Sequence, residues 1–260
     1  MIPLMLHVMI KIENCAFDDT LLYDLENLVW VRVEDGKEGR RRVVGGKGVE
    51  GEGSYGSSSS ATGGGTLKVR LGITSILAYV AGRLTSVRIR PEGTEVEKGK
   101  SIASIESLKY FGVVRSPLKG KIVEINRLVA SKPKVVNDHP YTDGWIALLE
   151  VNDHNSKDLN LLEPIDKCGD KLAEKIREMH VRCFSAFPDH EMVEIGVECA
   201  AVIPKLDELI ARVERGDVVH VVSDDPTADI EIVRWSEERG QQLLEIRRED
   251  PLIHMLVRKV

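Results

Sequence analysis

Short runs of alternating apolar and polar residues fill the first part of the chain, and turn residues such as Pro91, Gly93 and Pro117 separate them. The runs lie at 29–33, 67–71, 84–90, 101–105, 113–116 and 121–125. Alternation with a period of two is typical of half-buried strands, and regular turn signals are typical of small sandwiches or barrels. We therefore predict an all-β N-terminal domain over residues 1–151.

The pattern changes after residue 151. A polar stretch is followed by helical spacing of Leu172, Ile176 and Met179, which predicts a partly helical connector over residues 152–189. Residues 190–260 then read as β-α-β-α-β-β, with Gly216 and Gly240 ending the two helices. Helices on one face of a small sheet make an α+β two-layer sandwich, so we predict a multi-domain protein.

A Gly/Ser-rich segment interrupts the predicted N-terminal domain. Residues 45–65 contain nine glycines and five serines, a composition that cannot bury enough apolar surface to offset its ordering entropy. We predict a flexible loop insertion at about 36–65. A phosphate-binding loop is excluded by the pattern, because Gly46-Lys47 is followed by Gly48 instead of Ser or Thr.

Charge and composition narrow the function classes. The 260 residues carry a formal net charge of −6, and the nine basic and seventeen acidic residues from Pro188 onward give that part −8. This balance argues against nucleic-acid binding. The ten apolar-rich residues at the start are too few to span a bilayer and lack the features of a signal peptide. Four widely spaced cysteines without C-x-x-C make a disulfide framework or zinc ribbon unexpected, so we expect a cytoplasmic protein without membrane partners.

Lys109 lies in a turn between two predicted strands, where a lysine is usually only solvated. Its context changes this interpretation. The matching residues, in order, are Gly93, Gly99, Glu106-Ser107-Leu108-Lys109, Pro117, Gly120, Asn126, and the runs 133–137 and 140–145. This order closely resembles the glycine-cleavage H-protein family over residues 17–151. The resemblance implies a barrel-sandwich hybrid fold, covalent lipoate on Lys109, and a place for Glu106 in the lipoylation signal.

The residues after Lys109 depart from that family. Tyr110-Phe111-Gly112 stands where glycine-cleavage H proteins have small residues. The sequence here looks more like the lipoate-binding proteins that work with heterodisulfide-reductase-like sulfur-oxidising systems. Tyr110 and Phe111 either form a docking contact beside the lipoyl arm or cap the end of the barrel.

Cys199 lies where a predicted strand gives way to a predicted helix. Free N–H groups at a helix start stabilise a thiolate, although a lone cysteine in an apolar segment is often an inert buried thiol. The surrounding Gly196-Val197-Glu198 and Asp224-Asp225-Pro226 resemble the TusA-like sulfur carriers over residues 190–260. That resemblance implies a persulfide on Cys199. Because Ala200 replaces the family's proline, a docking domain without cargo stays an alternative.

Together the resemblances imply a carrier or shuttle subunit rather than an enzyme. The expected partners are a lipoate ligase or lipoyl-assembly enzymes, a persulfide donor and a heterodisulfide-reductase-like complex. The first alternative is a glycine cleavage H protein that carries the aminomethyl group between the decarboxylase and the aminomethyltransferase. The second is an unmodified scaffold. We expect no catalytic residue and no metal site, and we interpret Cys168 and Cys183 as structural, with a resolving role in mixed disulfides left open.

Overall fold

The computed structural model of the protein describes residues 8–34 and 66–260. In these residues the buried apolar side chains form two separate cores. We call the elements around the first core the N-terminal module and those around the second the C-terminal module. Residues 179–189, between the last helix of the former and the first strand of the latter, are the connecting segment. The predicted Gly/Ser-rich loop at 36–65 lies outside the described residues.

The N-terminal module is rich in strands. Its strands are β1 (Met9–Ile12), β2 (Cys15–Asp18), β3 (Leu22–Asp24), β4 (Val29–Glu34), β5 (Thr66–Ile73), β6 (Leu84–Ile89), β7 (Glu95–Val96), β8 (Ser101–Ser107), β9 (Phe111–Arg115), β10 (Gly120–Ile125), β11 (Ala147–Asn152) and β12 (Glu163–Pro164). Its helices are α1 (Ser75–Ala81), α2 (Arg127–Ser131), α3 (Val135–Asp138) and α4 (Ile165–Glu178), with a 3-10 helix at Asp153–Leu161.

These strands form three sheets among the described residues. The largest has the order β12-β3-β4-β5-β11-β10-β7, the second is β6-β8-β9 and the third is β1-β2. Strands β4 and β5 pair antiparallel, as the sequence predicts for the flanks of the loop. The Trp30 ring of β4 packs directly on Gly72 of β5. A Cβ at Gly72 would lie 2.6 Å from Trp30 Cζ2, so this position requires glycine. The predicted strand-rich class is confirmed.

Three short helices of this module were not predicted. Helix α1 follows β5 directly and is capped by Thr74, whose hydroxyl accepts a hydrogen bond from Leu77 N at 3.4 Å. Seven residues make only two turns, and most of them are buried. A helix that is apolar on several sides gives no clear period of 3.6 residues, so the pattern could not reveal it.

The C-terminal module has the predicted order. It contains β13 (His190–Glu194), α5 (Cys199–Arg212), β14 (Val218–Ser223), α6 (Ala228–Arg239), β15 (Gln242–Glu249) and β16 (Leu252–Arg258). The sheet order is β13-β14-β16-β15, with only β13 and β14 parallel. Both helices pack on one face, where Leu206 and Trp235 join Val221 and Met255 in the second core. The α+β two-layer sandwich is confirmed.

The predicted connector contributes to the first core. Helix α4 buries Ile165, Cys168, Leu172 and Ile176 against the N-terminal module. Burial raises the pKa of the free Cys168 thiol to about 11. The division at residues 151 and 190 stays a prediction.

The sequence makes a disulfide framework unexpected, yet the described residues contain one disulfide. Cys15, at the start of β2, is bonded to Cys183 in the connecting segment, and both are buried, at 0% and 2% exposure. The two cysteines are 168 positions apart, and only the return of the chain after α4 brings them together. No helix of residues 8–34 and 66–260 is long and apolar enough to cross a membrane.

Candidate functional site

Lys109 lies at the tip of the hairpin formed by β8 and β9, as the sequence predicts. The strands pair antiparallel up to Glu106 and Phe111, and the turn is closed by Ser107 N donating to Tyr110 O at 2.9 Å. Lys109 N donates to Ser107 Oγ at 3.2 Å, while the lysine side chain is exposed. The backbone of the turn is therefore fixed and the ε-amine is accessible from solvent.

The hairpin tip is tied to the end of helix α1. Ser107 Oγ donates to Ala81 O at 2.7 Å. Next to this contact the buried Asn137 side chain accepts from Leu84 N at 2.9 Å and donates to Ala78 O at 3.1 Å and to Gly82 O at 2.9 Å. These bonds connect α1, the start of β6 and α3. Asn137 belongs to the run 133–137 on which the family resemblance depends, and here it fixes the end of α1 that Ser107 contacts.

The two aromatic residues after Lys109 have different positions. Tyr110 is half-buried against the first core, and its ring covers Gly112, where a Cβ would lie 2.5 Å from the phenolic oxygen. Phe111 is 72% exposed. Tyr110 thus caps the end of the module, whereas Phe111 is available for contacts. Glu106 is exposed on the same hairpin, and its carbonyl accepts from Thr85 Oγ1 at 3.2 Å.

Leu108, immediately before Lys109, is 94% exposed. Sequence reasoning did not single out this residue. In the sequence, Leu108 is an apolar residue in a turn of mostly polar residues. Exposing such a side chain to water is unfavourable unless another surface covers it. Together with Phe111 it makes the surroundings of the lysine apolar.

Cys199 is the first residue of α5, at the strand–helix junction that the sequence predicts. The loop before it is fixed by Gly196, which has φ of +70° and donates its N–H to Asp224 Oδ1 at 2.8 Å. Ala201 N donates to Glu198 O at 2.9 Å and closes the first turn. Backbone N–H groups at such a helix start favour negative charge nearby.

Lys109 and Cys199 belong to opposite sides of the C-terminal sheet. Met192 points from β13 into the core beneath the helices, so the neighbouring Glu191 points to the other face. The pKa of the Glu191 carboxyl is lowered chiefly by His220 and, to a smaller extent, by the charge of Lys109. The hairpin tip is therefore near the face without helices, whereas Cys199 begins a helix of the opposite layer.

A pair of buried histidines lies on that helix-free face. His220 Nε2 and His254 Nδ1 are 3.0 Å apart. His220 Nδ1 is 3.8 Å from Glu191 Oε1, and His254 Nε2 is 3.7 Å from Glu249 Oε2. Burial, and then the neighbouring His220, lower the pKa of His254. The pair is part of the contact between the modules and is absent from the sequence interpretation, because only the fold brings the two histidines together.

Two family models match the chain, "Glycine cleavage H-protein" over residues 61–172 and "Sulfurtransferase TusA" over residues 195–259. Glycine cleavage system H protein 3 of Aquifex aeolicus (strain VF5) is 32% identical over 174 residues, which are 66% of this chain and 89% of that protein. The chain belongs to the glycine cleavage H-protein family. The first match includes Lys109 and the second includes Cys199, so the predicted fusion of an H-protein-like module with a TusA-like module is confirmed.

A second relative agrees with this assignment, and one solved structure is also similar to the chain. The probable glycine cleavage system H protein 2 of Sulfurisphaera tokodaii is 30% identical over 177 residues, 67% of this chain and 98% of that protein. A crystal structure of a glycine cleavage system H protein from Mycobacterium marinum is 22% identical, with a TM-score of 0.37, and covers 56% of this chain and 98% of that one.

The H-protein-like module fits covalently attached lipoate. An amide-linked group needs an amine that reaches solvent from a fixed backbone, and Lys109 in its hydrogen-bonded turn meets both conditions. In residues 8–34 and 66–260 no group of three or more His, Cys, Asp or Glu side chains is arranged to hold a metal ion.

Proposed function

We propose that this protein is a lipoyl carrier with its attachment site at Lys109, fused to a persulfide carrier with its reactive thiol at Cys199. The observation that carries the first half is the exposed Lys109 at the tip of a hairpin fixed by Ser107. Attached lipoate would supply a dithiol–disulfide couple that can hold and pass on a cargo. The chain itself presents the amine, holds the turn and surrounds it with Leu108 and Phe111.

Glu106, Tyr110 and Phe111 serve the modifying and receiving proteins in this proposal. Glu106 presents a carboxylate three residues before the lysine, on the exposed side of the strand. Tyr110 holds the turn by packing on the first core, and the exposed Phe111 ring offers a docking contact. A lipoate ligase or lipoyl-assembly enzymes would recognise the hairpin.

The second half of the proposal concerns sulfur. The TusA-like match and the position of Cys199 at the start of α5 support a persulfide on this cysteine. A persulfide donor would load Cys199, and a heterodisulfide-reductase-like complex would receive the sulfur. The fusion favours sulfur cargo, because the two carrier modules are parts of one chain.

Persulfide loading tests this half directly. After exposure to a persulfide donor, the wild-type protein should gain the mass of one sulfur atom on the peptide with Cys199, and Cys199→Ser should gain none. Cys168→Ser is the matched control, because the Cys168 thiol is buried and has a raised pKa. A gain at Cys168, or an unchanged gain in Cys199→Ser, would contradict the assignment.

The names of the relatives favour a second candidate function, that of a glycine cleavage H protein. In that case the lipoylated protein should support glycine–bicarbonate exchange when it is mixed with a glycine decarboxylase. The sulfur proposal predicts no exchange above that of Lys109→Arg. Exchange at the level of a glycine cleavage H protein would replace the proposed sulfur cargo with the aminomethyl group.

A cytoplasmic location stays a prediction. The bond between Cys15 and Cys183 argues against the reducing compartment that this prediction assumes, because disulfides are rare in such compartments.

A further inference from the structure

The connecting segment joins the two modules within two successive residues. Cys183 is covalently bonded to Cys15 in the core of the N-terminal module. The next residue, Phe184, packs on the C-terminal module, with its ring centroid 4.5 Å from that of His220 and 5.9 Å from that of His254. The Arg247 guanidinium lies 4.6 Å above the Phe184 ring.

Hydrogen bonds extend this contact on both sides. From the C-terminal module, Arg247 Nη2 donates to Cys183 O at 2.9 Å, and Glu245 Oε2 accepts from Ser185 N at 2.7 Å. From the N-terminal module, the Tyr79 hydroxyl accepts from Phe184 N at 3.0 Å. The disulfide is thus the covalent end of a clamp that holds the C-terminal sheet against the N-terminal module.

A surface cleft of about 270 Å³ leads to this clamp. It is lined by Asn14 and Arg182, the chain neighbours of Cys15 and Cys183. The ion pair of Arg182 with Glu249, at 2.8 Å, joins the connecting segment to the C-terminal module at the cleft and is itself partly exposed. Because the cleft reaches the chain neighbours of both cysteines, we expect a small thiol that displaces this pair to approach the disulfide from here.

We propose that the bond between Cys15 and Cys183 is a redox lock on the docking of the C-terminal module. A small dithiol opens it in two steps. Its thiolate attacks Cys183 Sγ, the sulfur–sulfur bond breaks, and Cys15 leaves as a thiolate that takes up a proton. The second thiol of the dithiol then displaces Cys183, which also leaves as a thiolate and is protonated, while the dithiol becomes a disulfide. Two electrons pass from the dithiol to the two cysteines.

Reduction is expected to loosen docking without unfolding either module, because each module has its own apolar core. Ion pairs hold the other end of the contact. Lys134 Nζ lies 2.8 Å from Asp189 Oδ2, and Arg83 Nη1 lies 3.5 Å from Asp217 Oδ2. Because these contacts lie beside the start of β13, we expect the loosened C-terminal module to rotate about this point.

The lock has a consequence that rests on the proposed function. In the docked arrangement Lys109 and Cys199 belong to opposite sides of the C-terminal sheet. A module that is free to move in the reduced protein would favour passage of a cargo between them within one chain.

The test uses the full-length protein without lipoate, so its result does not depend on the proposed function. The protein is held oxidised or treated with dithiothreitol under native conditions. Alkylation and intact mass count the thiols, and hydrogen–deuterium exchange follows the connecting segment. Cys15→Ala/Cys183→Ala imitates the reduced form, and Cys168→Ala, which removes another buried thiol, is the matched control.

We expect native reduction to expose two additional thiols and to speed exchange in the connecting segment at least tenfold, because the amides of Phe184 and Ser185 are bonded across the contact. The helical signal in circular dichroism should stay unchanged. Cys15→Ala/Cys183→Ala should exchange fast with or without dithiothreitol, and Cys168→Ala should behave as wild type. A disulfide that resists dithiothreitol until the protein is denatured would overturn the lock. So would reduced wild-type protein with unchanged exchange, even if the double variant failed to fold.

Discussion

The two modules present their candidate reactive residues in different ways. Lys109 is at the tip of a hairpin, on a long side chain that extends into solvent from a turn held by side-chain hydrogen bonds. Cys199 is at the start of a helix, where the chain has just left a strand and where the backbone itself supplies N–H groups. Modification of the lysine depends on its exposure to solvent, whereas the reactivity of the cysteine depends on the electrostatic field at the helix start.

This difference explains where each module places its supporting interactions. Around Lys109 the support is indirect, through Ser107 and Asn137 to helix α1. Around Cys199 it includes the contact of the preceding loop from Gly196 N to Asp224. A mobile arm on a lysine requires a rigid turn at its attachment point. A thiolate requires a backbone that holds it near the N–H groups of a helix start. Substitutions in each module distinguish these two modes of support.

The largest effect is expected for Asn137→Ala. Three hydrogen bonds of a buried amide are lost, and at roughly 1 kcal/mol each the N-terminal module should lose about 3 kcal/mol of its free energy of unfolding. Chemical denaturation measures the loss. Asn160→Ala, at an exposed position, should change little. An equal loss in the C-terminal module would show that the modules are not separate units of stability.

Ser107→Ala should have a smaller effect of about 1 kcal/mol, because it removes the bond to Ala81 O and the acceptor for Lys109 N. The amide of Lys109 should exchange faster with solvent deuterium, while the core strands keep their protection. Ser107→Thr retains the hydroxyl and should restore slow exchange. If Ser107→Ala leaves the exchange of the hairpin tip unchanged, the turn is held by other contacts.

Asp224→Ala should cost the C-terminal module roughly 0.5–1 kcal/mol, since the bond to Gly196 N is exposed. The position of the loop before Cys199 should also relax, so alkylation of this thiol by iodoacetamide should change its rate. Asp224→Asn retains an acceptor oxygen and serves as the control. Equal alkylation rates in all three proteins would show that the loop does not control the cysteine.

The smallest effect is expected from pH. The pKa of His254 is lowered in the folded protein, chiefly by burial, so the folded state binds fewer protons than the unfolded chain. The contribution of neutral His254 to the free energy of unfolding is fully present above pH 6.5, the ordinary pKa of histidine. It is lost as the pH falls below that value. The melting temperature should therefore fall from pH 7 to pH 5, and His254→Asn should flatten the curve. A profile unchanged in His254→Asn but flattened in His139→Asn, at an exposed position, would contradict this assignment.

The sequence was most informative where local pattern and local structure coincide. Alternation predicted β4, β5, β8 and β9, and Gly240 ended α6 in the left-handed conformation as expected. Lys109 and Cys199 were both placed at the correct junctions. What could not be predicted depends on distant parts of the chain. The bond of Cys15 with Cys183, the contact of His220 with His254 and the role of Asn137 all join residues far apart in sequence.

The central claim is that Lys109 carries lipoate, and the most direct test is intact mass with a peptide map after co-expression with a lipoate ligase. The account predicts one lipoyl-sized adduct on the peptide that contains Lys109. The adduct should be absent in Lys109→Arg and retained in Lys100→Arg. No adduct in the wild-type protein with an active ligase, or an adduct that persists in Lys109→Arg, would contradict the account.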